Sequence, residues 1–208
     1  DRLIEANAIY GWAIISGVFT IIGVLFDQSL FILSWILAVL SLFGVYRSVK
    51  MRQPLFIKGT WRIFVMALPL LWVAAAMEPS QWDEFSHWLP ASKYLVEFDD
   101  FPTKIRPFVG PHMLPAYPYG WPYLMYLGSL IAGQFVNNVS STINIFLLLS
   151  FSTFALRAAY RIAGNKTSNN ISWSFASAIV LLATVFNPTF VQKIVLTAYS
   201  DLSTSVLT

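Results

Sequence analysis

Two adjacent carboxylates and an imidazole, Asp83, Glu84 and His87, lie within five residues, where a general base, a metal site or a helix cap could be built. A carboxylate within hydrogen-bond reach of an acceptor hydroxyl or amide can take its proton as a new bond forms. On a helix, Asp83 and His87 are four residues apart and Glu84 and His87 three apart, so the three share one side. The same residues also have plain structural uses. Ser80-Gln81-Trp82-Asp83 fits a capping box with Ser80 as N-cap and Asp83 as third helical residue, and acids in a first turn complement the helix dipole. His87 and the second histidine, His112, also suit a wet loop as simple polar residues. A divalent cation held by Asp83, Glu84 and a histidine is another reading, with no tight spacing such as HExxH behind it. The chain has no cysteine, so disulfides and thiolate metal sites are excluded.

These residues belong to a long loop, 78–119, that holds six of the ten acids (Glu78, Asp83, Glu84, Glu97, Asp99, Asp100) and both histidines. Eight of the eleven prolines fall between Pro79 and Pro122, which marks the stretch as more than a connector, since long ordered loops are usually functional. Within it, 81–96 reads as an amphipathic helix: Trp82, Phe85, Trp88, Leu89 and Leu95 recur at helical spacing, as suits a helix at a membrane interface. Pro90 should kink or split that helix, because it lacks an N–H and its ring clashes with the preceding turn.

The elements that position the loop are apolar. Hydrophobic residues make up 57% of the 208, charged residues 11%, and mean hydropathy is +0.64, well outside the range of an ordinary soluble domain. The fold class expected is all-α integral membrane, a multi-spanning helical bundle with an extracytoplasmic loop carrying juxtamembrane helices. Crossing a bilayer takes ~20 apolar residues. Five stretches fit, 8–26, 29–45, 63–77, 142–162 and 171–186, and a sixth, 120–136, is shorter. Arg47, Lys50, Arg52, Lys58 and Arg62 lie between the second and third stretches without an acid, so that loop is expected on the cytoplasmic side. Loop 78–119 then lies outside. Arg157, Arg161 and Lys166 also belong in the cytoplasm, which follows if 120–136 lies along the interface or dips in and returns; the alternative is a true crossing against the positive-inside trend. The net charge of +3 reflects this loop bias and is no sign of nucleic-acid binding. The chain starts at Asp1 and stops at Thr208 inside an apolar run, so it reads as a piece of a longer protein.

The segment Gln81-Trp82-Asp83-Glu84-Phe85-Ser86-His87-Trp88, an acidic pair just after an apolar helix, resembles the first external loop of GT-C glycosyltransferases. Ala116-Tyr117-Pro118-Tyr119-Gly120-Trp121-Pro122 is similar to the Tyr-Pro-Pro-Gly type segment that begins a juxtamembrane helix in many of them, with Tyr119 in place of the second proline. Ala198-Tyr199-Ser200-Asp201-Leu202, after Asn187-Pro188, resembles their second external acidic motif. Relatives of this kind include protein O-mannosyltransferases, the lipid A aminoarabinose transferase and oligosaccharyltransferase catalytic subunits. The likeness covers residues 63–208, a partial GT-C-like module, and leaves 1–62, two apolar helices and the basic loop, outside it.

The resemblance implies transfer of a sugar from a polyprenyl-phosphate-linked donor to a glycan, lipid or protein acceptor on the outer face of the membrane, a bacterial inner membrane being the expected setting. It implies Asp83, with Glu84 second, as the general base. The phosphate leaving group needs fixed positive charge, for which Lys93, Lys104, Arg106 and Lys193 are the outer-side candidates; snorkelling to the interface would equally explain them. Asp201, with His87, would orient the acceptor or bind a metal, although Ser200-Asp201 also suits a helix N-cap. Tyr117 and Tyr119 could stack on sugar faces, within an aromatic stretch that also reads as an interfacial belt. Two other readings stand beside this one. A lipid or polysaccharide transporter or flippase should carry ionisable or helix-breaking residues at mid-membrane, where only Pro69 is found. A non-catalytic subunit would use the loop for docking.

Overall fold

In the computed structural model, residues 4–26, 29–103, 107, 119–164 and 170–185 are described, and the regular elements among them are all helical. A 3-10 turn, Ile4–Ala6, leads into α1 (Asn7–Phe26), followed by α2 (Leu30–Lys50) and α3 (Trp61–Ala76). A π-helical turn, Glu84–Trp88, runs into α4 (Leu89–Phe98); α5 (Gly120–Ala132), α6 (Val139–Ile162) and α7 (Trp173–Ala183) complete the order.

Three stretches are helical, long and apolar enough to cross a membrane: Ile4–Gly23, Leu30–Lys50 and Val139–Ile162. At 1.5 Å per residue each reaches ~30 Å, the thickness of the hydrocarbon core. Two more expected spans are apolar helices of 16 residues (α3) and 11 residues (α7), the latter ending where the described residues nearly do. The sixth stretch forms α5, at 13 residues about 20 Å long and too short to cross unaided. α2 is apolar around its circumference, and past Ser34 its large side chains, Trp35, Val39, Leu42, Phe43 and Tyr46 among them, are exposed. Such a helix belongs in lipid or against further protein, not in water.

α3, α6 and α7 pack as one layer around Ile63, Ala67, Ala74, Ile145, Leu149, Ala176 and Ile179. The alanines let the helix backbones approach closely, which is how apolar helices gain packing energy when lipid offers no hydrophobic drive. At one end of the layer Ser141 Oγ donates to the Ala74 carbonyl at 3.0 Å, and the Asn138 side-chain amide donates to the Ala75 carbonyl. At the other end the Ile171 N–H donates to the Lys58 carbonyl at 2.8 Å, and the Arg62 guanidinium donates to the Ile171 carbonyl. Gly59 permits this join: its φ is +85° and a Cβ there would lie 2.6 Å from the Ile171 oxygen. Also at this end, Glu5, nearly sealed from solvent, pairs with Arg157 at 3.4 Å and Arg161 at 2.6 Å.

The chain therefore leaves α3 and enters α6 at the same end of the layer, and the intervening π turn, α4 and α5 all return there. α4 and α5 pack on each other and on α1 and α2 through Phe19, Leu30, Leu33, Leu95, Phe101 and Tyr123. A third cluster, Trp12, Trp88, Leu89, Trp121, Met125 and Leu147, locks this group onto α6.

Candidate functional site

The stretch after α3 is helical from Trp82 onward. That makes Gln81 the N-cap and Glu84, not Asp83, the third helical residue. Glu84 accordingly turns back: its Oε2 accepts the backbone N–H groups of Ser80 at 2.7 Å and Gln81 at 2.8 Å, and the residue is 2% exposed. This is capping-box geometry one residue later than the sequence spacing placed it. Ser80 accepts instead from the Gln81 side-chain amide at 3.1 Å. Asp83 is half-buried and makes no side-chain cap bond.

The π turn explains the local geometry. Pro90 cannot donate to the carbonyl four residues back, and its ring would strike it in a regular helix. The chain widens by one residue, and the Leu89 N–H reaches the Glu84 carbonyl instead. Pro90 thus distorts the helix without splitting it. One added residue rotates everything before it by about 100° relative to α-helical spacing. Trp88, Leu89 and Leu95 consequently face the core, while Trp82 and Phe85, expected on the same face, are exposed. His87 is half-buried, its ring edge-on to Trp82 at 6.4 Å. Ser86 Oγ, three residues on from Asp83, is buried without a hydrogen-bond partner among the described residues.

The other candidates separate. Lys93 is exposed on α4. Tyr119 lies in the core, edge-on to Phe101 at 4.9 Å, and burial together with nearby Tyr94 pushes its hydroxyl up to about 12. Its ring is committed to packing, not presented to a ligand. Lys104, Arg106, His112, Tyr117, Lys193 and Asp201 fall outside the described residues. Among the described residues, no three histidine or carboxylate side chains gather as a metal-binding group. The turn carries Asp83, Ser86 and His87 within five residues and gives the Glu84 carboxylate to two backbone N–H groups.

Sequence reasoning missed Asp99. It ends α4 in the left-handed region, φ +53°, and its carboxylate takes the hydroxyl of Ser29, the N–H of Phe31 at 2.7 Å and the hydroxyl of Tyr126 at 2.6 Å. The start of α2, whose first N–H groups have no helical partner, is thereby capped from another element. Burial first, and the Asp99 carboxylate second, push the Tyr126 hydroxyl above its ordinary range. An open cavity of about 430 Å³ lies beside the pair, lined by Phe31, Val96, Ser129, Leu130 and Gln134 as well. The signal was present in Phe98-Asp99-Asp100, since aspartate tolerates left-handed backbone better than most residues, but nothing in the sequence named its partner.

The chain matches no protein-family model, no curated protein and no solved structure.

Proposed function

We propose that this chain is the catalytic part of a membrane glycosyltransferase that moves a sugar from a polyprenyl-phosphate-linked donor to an acceptor at the outer face of a bacterial inner membrane. The observation that carries the reading is the division of labour between adjacent acids: Glu84 is consumed in capping, and Asp83 keeps an uncommitted carboxylate on the same turn. A base must be free to accept a proton, and of these two acids Asp83 meets that condition. The turn follows an apolar helix at the end of the layer away from the arginines, which supports an outward-facing loop and an α5 that dips in and returns without crossing.

In the reaction, Asp83 takes the proton of the acceptor hydroxyl or amide as its oxygen or nitrogen bonds to the anomeric carbon. The bond from that carbon to the phosphate oxygen breaks, and the lipid phosphate leaves with the electron pair. Lys93, with Lys104, Arg106 and Lys193, would supply the positive charge that stabilises it. A lipid-anchored donor requires a site beside apolar helices, as here. The deciding experiment compares wild type with Asp83→Asn in membranes, using a panel of polyprenyl-phosphate-sugar donors. Transfer by the wild type and its collapse in the variant, at equal folding, is expected; equal transfer by both would remove Asp83 as the base, and none by either would sink the proposal.

A further inference from the structure

At the basic end of the bundle a groove of about 500 Å³ lies between α1, α3 and α6. Its walls are almost wholly apolar, with Gly11, Trp12, Ile15, Phe64 and Leu147 among them, and Phe56 on its rim is exposed. Along α1 it runs from Glu5 to Ile15, ten residues or about 15 Å, which is half the ~30 Å hydrocarbon core and so the depth of one leaflet.

Charge is confined to the shallow end. Glu5 lines the groove there and holds both Arg157 and Arg161. The Arg161 side chain is 34% exposed, and Lys58, also exposed, follows directly on Leu55, Phe56 and Ile57 of the groove wall. Among the described residues, the deep end, at Trp12, Ile15 and Leu124, carries no ionisable group. An apolar slot one leaflet deep beneath exposed cations is complementary to one molecule class. We propose that the groove holds an acyl chain of an anionic phospholipid from the leaflet at the basic end, with the lipid phosphate against Arg161 and Lys58. The inference rests on membrane embedding and is independent of glycosyl transfer.

Gly11 gives the test its selectivity, because a Cβ built there meets no atom within 4 Å and a larger side chain would enter the groove unopposed. The full chain is equilibrated in micelles containing equimolar phosphatidylglycerol and phosphatidylcholine, and retained lipid is read by native mass spectrometry. Wild type should keep one lipid, phosphatidylglycerol over phosphatidylcholine by about fivefold per engaged cation. Lys58→Gln should lower that preference by about the same factor and leave the number of lipids unchanged. Gly11→Phe should abolish retention with helicity intact, and Gly11→Leu should weaken it. No retained lipid, no headgroup preference in the wild type, or full retention by a folded Gly11→Phe would overturn the proposal. So would a wild-type dimer that Gly11→Phe dissociates, since a second copy would then cover the groove.

Discussion

The Asp99 carboxylate receives the Tyr126 hydroxyl at 2.6 Å and, on the same oxygen, the Phe31 N–H at 2.7 Å, so one side chain joins the end of α4, the middle of α5 and the start of α2. Asp99→Ala should therefore lower stability on two counts. The part-buried Ser29 and Tyr126 hydroxyls and the exposed Phe31 N–H lose a charged acceptor, at about 1–3 kcal/mol, and alanine must hold a left-handed φ, at roughly 1–2 kcal/mol. Asp99→Asn keeps one acceptor oxygen and tolerates that backbone, so it should cost distinctly less. Thermal unfolding in detergent measures both, and equal midpoints for the two variants would contradict the capping role.

Glu84 and Asp83 make a matched pair of tests. Glu84→Ala removes the acceptor of the Ser80 and Gln81 N–H groups at the helix start and should cost about 0.5–2 kcal/mol of stability. Asp83→Asn should change stability by less than about 0.5 kcal/mol, while lowering transfer by roughly 10²–10⁴ if Asp83 is the base. Denaturation midpoints and turnover, measured on the same preparations, separate the two residues. A large stability loss in Asp83→Asn would show that the capping role had been given to the wrong acid.

That distinction marks where the sequence stopped being legible. Apolar periodicity located the helices, because runs such as that of α2 admit no other reading, and the basic clusters foretold that Arg62 and the α6 arginines would lie at one end. The capping box was visible, but whether it used Asp83 or Glu84 depended on a one-residue choice of helix start, which propensity does not resolve. The exposure of Trp82 and Phe85 was hidden for a related reason: the π turn before Pro90 shifts the helical register, and regular periodicity cannot carry that shift. Asp99 was hidden more deeply, since its role is a contact between residues about seventy positions apart.

Tyr119 gives a pH signature. Its hydroxyl is raised from 10.0 to about 12, chiefly by burial, so the folded state holds the proton more tightly than the unfolded chain. The stability linked to that proton is complete below pH 10 and is lost as pH rises from there through about 12. Difference ultraviolet absorbance between wild type and Tyr119→Phe should show this residue ionising late, and the phenylalanine variant should lose less stability across that window. Ionisation of Tyr119 at its ordinary pH in the folded protein would mean that the ring is not in the core.

The Glu5 cluster predicts an asymmetry between its two arginines. The Arg157 side chain is 8% exposed and the Arg161 side chain 34%, although both reach the same carboxylate oxygen. Glu5→Gln takes the countercharge from a buried guanidinium and should cost about 3–5 kcal/mol. Arg161→Gln breaks the more solvated contact, which water screens, and should cost about 1 kcal/mol or less. Replacing Glu5 and Arg157 together with leucine and methionine should recover most of the loss, because the buried guanidinium goes with its carboxylate and the charge left behind, on Arg161, is 34% exposed and hydrated. A double-mutant cycle on unfolding free energies reads the coupling directly. Similar losses for Arg157→Met and Arg161→Gln would mean that burial does not set the strength of this cluster.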